Sequence, residues 1–349
     1  MSADSIDTCD DNDSLASRLM ELVTCSWMAQ AVYVAAELGI AELLAEGPKM
    51  ADQLAEATGA HAPSLRRLLR ALATIDIVRQ REDGSFEVTS LGALLGTDAP
   101  GSLRHWAIWW GKHLWPVWGS LLYSVTTGES ARKHLLGTEG FEHLQRDPEA
   151  AAIFHRAAAE LTRLTAERVV SAYDFSGLKQ IVDVGGGCGE LLGSILRANR
   201  TAHGILFDLP DAVDAARRKF EELGIASRCE FVAGDFFESI PAGGDAYILK
   251  SVIHDWNDAR SRLILANCHR ALGGDGRLLL VEEMLPDRLE NSPAHQAVMR
   301  SDLNMLITHA AGERTEPDFR LLLRSAGFRM SRVVPVGMTF TVIEAMPEE

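Results

Sequence analysis

Acids, glycines and a histidine fall in this chain at the ends of successive apolar runs, where an α/β protein places its ligand-binding groups. Ile181-Val182-Asp183-Val184 reads as a buried strand, and Gly185-Gly186-Gly187-Cys188-Gly189 must turn sharply before a helical pattern opens at Glu190. Glycines serve there when the backbone needs positive φ or when a ligand approaches the main chain closely. A dinucleotide fingerprint GxGxxG starting at Gly185 would need glycine at 190, but that position is Glu190, so the frame is GxGxG. With Asp183 before the turn and Glu190 after it, the local charge repels pyrophosphate and suits an ammonium or a sulfonium.

The later strand ends extend this pattern. GILFDLP (204–210) ends in Asp208 and Leu209, at the distance where doubly wound folds set a carboxylate on ribose hydroxyls. CEFVAGDFF (229–237) ends in Gly234-Asp235-Phe236, a carboxylate for an adenine amino group and a ring to stack on the base. Together these outline an adenosine site. A fourth strand, AYILK, leads into a loop with His254, Asp255 and Trp256, and a fifth ends at Glu282 and Glu283. The helix DLNMLITHAAGERT then brings Met305, His309 and Glu313, and TFTVIEA reads as one arm of an antiparallel hairpin from about residue 329.

The elements that must hold these groups suit a two-domain protein. The chain has 349 residues, 47% hydrophobic and 24% charged, enough to bury a large core. A net charge of −15 argues against nucleic acid, anionic membrane or polyphosphate as main partner. Five scattered cysteines without CxxC spacing indicate neither a disulfide framework nor a zinc site, and a reducing cytoplasm is expected. Residues 1–14 are acidic and polar, unlike a targeting peptide, and are expected to be disordered; no uninterrupted apolar run reaches the ~18 residues of a membrane span. Residues 15–100 read as a helix interrupted at Gly39, two short helices around Gly59 and a hairpin turning at Asp83-Gly84, a winged-helix pattern. Its arginines Arg66, Arg67 and Arg70 are balanced by nearby acids, which favours a dimerising use over DNA binding. Residues 101–173 form a helical linker and pocket segment in which Trp106, Trp109, Trp110, Trp115 and Trp118 invite an aromatic ligand or an interface. The fold proper is expected over 174–349.

In that order, VDVGGGCG, FDLP, GDFF, LKSVIHDWND and GERT resemble the small-molecule S-adenosylmethionine-dependent O-methyltransferases, a family that includes plant caffeate-type and bacterial antibiotic-pathway enzymes. The resemblance spans about residues 15–346 and is nearest to the bacterial phenazine and mitomycin-type enzymes. It implies an α/β fold: a class I Rossmann-like seven-stranded sheet with an N-terminal winged-helix domain for homodimerisation. For S-adenosylmethionine it implies Asp183, Gly185, Gly187 and Gly189 at the methionine part, Asp208 and Leu209 at the ribose, Gly234, Asp235 and Phe236 at the adenine, and Lys250 beside them. It makes His254 the general base that deprotonates a phenol, flanked by Glu282 and Glu313; Glu283 is the residue with which Glu282 is most easily confused.

Trp106, Trp110, Phe154, Asp255, Met305 and His309 are expected to line the acceptor site. The lining differs from that of the plant enzymes: FHRAAAE (154–160) lacks a methionine, and His309 replaces a smaller polar residue. A broad flat pocket for a fused-ring phenol, such as a phenazine, an anthracycline or a quinone, is expected, with no metal. The competing readings are the same fold and cofactor used for N- or C-methylation, hydroxylation or decarboxylation, a nicotinamide oxidoreductase, and a winged-helix DNA regulator.

Overall fold

A computed structural model describes residues 7–138, 140–274, 276–337 and 339–348. The chain divides into two compact units, one through Leu114 and one from Trp115. The break therefore falls inside the expected 101–173 segment, and its tryptophans are shared between the units. In the first unit a helix runs Asp7–Glu37, so the expected disordered tail is helical from Asp7, while residues 1–6 lie outside the described residues. A helix nucleated in the long run from Leu15 adds residues at its end cheaply, which accounts for the extension.

Gly39, at φ 65, separates that helix from Ile40–Ala45. Helices Ala51–Thr58 and Ala62–Ala73 bury Leu54, Leu65, Leu69 and Leu72, and strands β1 (Val78–Gln80) and β2 (Phe86–Val88) form the antiparallel wing. Arg66 pairs with Asp52 at 2.8 Å, and Arg79 and Arg81 pair with Glu87 at 3.3 and 2.9 Å. Much of the wing's positive charge is thus spent within the unit. Along the first helix Leu15, Leu19, Leu22, Val23 and Trp27 are exposed, Trp27 at 66%. This helix, over Ser14–Glu37, is long and apolar enough by composition to cross a membrane, but an uncovered stripe of this kind is equally what a subunit interface buries.

The second unit is built on one sheet. Strands β3 (Gln180–Val184), β4 (His203–Asp208), β5 (Cys229–Ala233), β6 (Ala246–Lys250), β7 (Arg277–Leu285), β8 (Arg314–Thr315), β9 (Phe328–Gly337) and β10 (Phe340–Pro347) are arranged β5-β4-β3-β6-β7-β10-β9, with two-residue β8 paired to β7. The four pairs of this series from β5 to β7 are parallel, and β10 runs antiparallel to both β7 and β9. The strands read as nearly continuous apolar runs because helices cover both faces. Leu192, Ile195, Phe220 and Val169 pack on one face against Ile181, Leu206 and Ile248; Ile264, Leu265, Phe319 and Leu322 pack on the other against Val182, Leu249 and Ile343. Chain order reverses between β3 and β6, and every chemically loaded residue after Asp183 lies at or beyond the carboxyl edge next to that switch point.

Candidate active site

The glycine turn is shaped by contact as much as by conformation. Gly189, at φ 74, caps the helix Glu190–Ala198, and a Cβ there would lie 2.5 Å from Phe220. Gly185, at φ 71, faces Val252 and Phe236, whose atoms would lie 2.9 and 3.8 Å from an added Cβ. A side chain would fill the groove that these two residues line. The Gly187 and Leu209 amides donate to the two oxygens of Asp208 at 2.7 and 2.6 Å, fixing the carboxylate beside the turn. Asp235 accepts from the Phe237 amide at 2.8 Å and stays exposed, while the Phe236 ring stands 6.1 Å from Trp256.

Asp183 is 2% exposed and its Oδ2 has no hydrogen-bond partner. Burial, and then the neighbouring Asp208, push its carboxyl up to about 7. Burial raises Asp208 as well. An orphaned buried acid next to a second acid is what a cationic ligand relieves, so this cradle fits an adenosyl sulfonium with an amino-acid tail. Lys250 donates to Thr162 at 3.3 Å and lies 5.1 Å from the Phe340 ring. Burial lowers its ammonium, against the opposing pull of Glu282, Glu283, Asp183 and Asp255.

His254 follows a forced turn. Ser251 adopts φ 53, an uncommon angle for a residue with a side chain. Glu282, fully buried, holds this turn because its Oε1 accepts from the Val252 and Ile253 amides at 3.0 and 2.8 Å. Its Oε2 stands 3.9 Å from His254 Nδ1. The direct partner is Glu313, whose Oε1 accepts from His254 Nδ1 at 2.9 Å and from the Ser301 hydroxyl at 2.7 Å. Glu283, next along β7, bonds instead to Thr339, which separates it from Glu282. Burial alone would depress the imidazole, but Glu313, Asp255 and Glu282 outweigh it and raise His254 to about 10. Burial pushes Glu282 up to about 7, with His254 pulling the other way. The sequence offered no metal-ligand set beside His254; the fold does bring donor atoms of His254, Glu282 and Glu313 within 4.8 Å of one another.

On its Nε2 side His254 faces Asp255 Oδ1 at 3.7 Å, and the same oxygen lies 3.3 Å from His309 Nε2. Phe141 joins the aromatic residues, 5.4 Å from Phe154, 5.0 Å from His309 and 6.4 Å from Trp256. Met305 is buried one helical turn before His309. Phe154, Asp255, Met305 and His309 thus belong to one unit with His254. Trp106 and Trp110 lie in the first unit, on Arg104–Ile108 and the π-helical turn Trp109–Leu114. Trp109 is buried there and stacks on His113, and Trp118, in the second unit, donates to Asn304 at 3.2 Å.

Sequence reasoning passed over Ser301, Phe141 and Arg132. Ser301 shares the 301/305/309 helical spacing with Met305 and His309, a signal available in the sequence. Arg132, in ARKHLL, has no such signal; its Nη2 reaches His309 Nε2 at 2.9 Å.

A mostly parallel, doubly wound sheet closed by an antiparallel hairpin, with an acid-lined glycine turn at its switch point, defines the class I methyltransferase architecture. The chain belongs to the O-methyltransferase family: residues 118–329 match its O-methyltransferase domain and residues 20–98 its dimerisation domain, through which it forms a homodimer. Phenazine O-methyltransferase PhzM of Lysobacter antibioticus is 44% identical over 333 residues, 95% of this chain and 96% of the relative. Mitomycin biosynthesis 6-O-methyltransferase of Streptomyces lavendulae is 38% identical over 322 residues, covering 91% and 90%. The crystal structure of LaPhzM superposes with a TM-score of 0.92 at 43% identity, covering 95% of this chain and 99% of that one. The relatives also include phenazine-1-carboxylate N-methyltransferase of Pseudomonas aeruginosa, 30% identical over 334 residues, 96% and 98% of the two chains. Another similar structure, the neocarzinostatin O-methyltransferase NcsB1 in complex with S-adenosylmethionine and 2-hydroxy-5-methyl naphthoic acid, has a TM-score of 0.79 at 31% identity and covers 92% and 96%.

Proposed function

We propose that this chain methylates a phenolic hydroxyl of a fused-ring aromatic natural product, of the phenazine, anthracycline or quinone type, using S-adenosylmethionine and His254 as general base. The observation that carries the reading is the 2.9 Å bond from His254 Nδ1 to buried Glu313, which leaves Nε2 as the nitrogen for the substrate proton. S-adenosylmethionine supplies an activated methyl group, and Asp183, the 185–189 turn, Asp208, Asp235 and Phe236 are the residues that would hold it. Gly187 and Leu209 fix Asp208, and Phe236 would supply a ring for the adenine to stack on.

His254 then has one task, to take the phenol proton while the acceptor is held in line. A phenol has a pKa of ~10, so transfer to an ordinary imidazole is uphill by about 5 kcal/mol, whereas transfer to one raised to about 10 is nearly balanced. The accompanying cost is that His254 is mostly protonated at neutral pH, so productive complexes form from the small neutral fraction or from an acceptor already ionised. Glu313 stabilises the resulting imidazolium, Ser301 fixes Glu313, and Glu282 holds the turn that presents His254. Phe154, Met305, Asp255 and His309 are the acceptor's neighbours in this reading, with Trp106 and Trp110 assigned to it from the sequence. The free thiols of Cys25, Cys188, Cys229 and Cys268 suit work in the cytoplasm.

The N-methyltransferase relative favours N-methylation as second reading, and that reaction places no demand on a phenol base. Incubation with methyl-labelled S-adenosylmethionine and a panel of hydroxyphenazines and hydroxylated quinones, followed by mass spectrometry, separates the two. A labelled methyl ether supports the proposal; label found only on nitrogen overturns it.

A further inference from the structure

Arg132 lies on the short helix Ala131–Leu136 and is 4% exposed. A buried guanidinium normally meets a carboxylate, because taking the charge out of water is repaid only by close pairing. Here, among the described residues, no Asp or Glu oxygen lies within 4.0 Å of it, and Asp255 supports its charge only from beyond that distance. Its hydrogen bonding goes through Nη2 alone, which donates to His309 Nε2 at 2.9 Å and stands 3.3 Å from Nδ1, and Nε and Nη1 make none among the described residues. Burial, with Arg132, His254 and His143 adding their charge, keeps His309 neutral, so the imidazole contributes no compensating charge. Nε2 of His309 accepts from Arg132 and is therefore not free to donate to Asp255.

This cation is tied to the reacting end of the site by shared atoms. Arg132 Nη2 meets His309 Nε2 at 2.9 Å, that nitrogen stands 3.3 Å from Asp255 Oδ1, and that oxygen stands 3.7 Å from His254 Nε2. These steps hold the guanidinium within the length of a two- or three-ring aromatic from the nitrogen that faces the phenol. Phe141, Phe154 and Trp256 supply flat apolar surface in the same neighbourhood.

We propose that Arg132 is a specificity-determining residue that anchors a carboxylate on the acceptor, so that the preferred substrate is an aromatic hydroxy acid. Nε and Nη1 form the donor fork for the carboxylate, while Nη2 keeps the guanidinium oriented against His309. This rests on the methyl-acceptor reading above and narrows it to anionic fused-ring phenols.

The test is binding rather than turnover. Isothermal titration with S-adenosylhomocysteine present compares a hydroxyphenazine carrying one carboxylate with the same hydroxyphenazine lacking it, on the parent, Arg132→Met and Arg132→Lys. The parent is expected to bind the acid at least about tenfold more tightly. Arg132→Met should erase that preference while leaving the neutral compound within about threefold, and Arg132→Lys should keep part of it. A parent without preference, or a preference that survives in Arg132→Met, overturns the anchor. If Arg132→Met does not fold, the parent preference and its partial loss in Arg132→Lys decide, and an unchanged preference in Arg132→Lys counts against the proposal. Methyl transfer is assayed separately: an intact preference without a methyl ether product would sink the O-methylation reading and leave the anchor standing.

Discussion

Glu313 Oε1 receives two hydrogen bonds, from His254 Nδ1 at 2.9 Å and from the Ser301 hydroxyl at 2.7 Å, so the carboxylate that charges the histidine is itself held by the helix Pro293–His309. Two segments far apart in the chain thereby share one proton-handling unit. Glu313→Gln keeps the shape but removes the charge that raises His254. With that partner gone the imidazolium loses its proton more readily, so the rise of kcat/KM with pH should level off at least about one pH unit lower than in the parent. In the parent, kcat/KM should climb roughly tenfold per unit from pH 7 and flatten towards about 10. Identical profiles for the two proteins would rule out the electrostatic role of Glu313.

Removing the imidazole tests the base directly. His254→Ala should lower kcat by ~100- to 10,000-fold on a neutral phenol, with S-adenosylmethionine affinity within about threefold of the parent. Retention of O-methylation within about threefold would show that His254 is not the base.

Asp208 should separate binding from chemistry. Its two oxygens take the Gly187 and Leu209 amides, so Asp208→Ala disturbs the turn together with the proposed ribose partner. Calorimetry should show cofactor affinity weakened by about tenfold or more, with turnover at saturation changed much less. The opposite pattern would place Asp208 in the chemical step.

Chelation distinguishes proton sharing from metal binding at His254, Glu282 and Glu313. The His254–Glu313 contact of 2.9 Å is an ordinary charge-assisted hydrogen bond and needs no ion between the atoms. Dialysis against EDTA should leave the methylation rate within about twofold. A loss restored by a divalent cation would make the cluster a metal centre.

The exposed stripe on the first helix should govern assembly. Trp27→Asp together with Leu19→Asp puts charge where the free unit shows apolar surface, and light scattering should report a monomer with the fold retained by circular dichroism. An unchanged dimer would place the subunit interface elsewhere on the dimerisation domain.

Much of this protein was legible in its sequence because the informative features are local. The GxGxG turn, the acids at 183, 208 and 235, and the His254 loop each sit within a few residues of an apolar strand, and strand ends in a doubly wound sheet converge whatever lies between them. The winged-helix pattern was likewise a matter of spacing and turn chemistry. Tertiary structure decided what depends on which atoms meet. It assigned Glu313 rather than Glu282 as the direct partner of His254, gave Glu282 the task of holding the Val252–Ile253 turn, and sent Glu283 to Thr339, because adjacent residues of β7 project to opposite faces. It also divided the tryptophan-rich segment between two units and extended the first helix back to Asp7. Arg132 joined His309 only through folding, since a short helix with two basic residues carries no period or motif that reveals which one is buried.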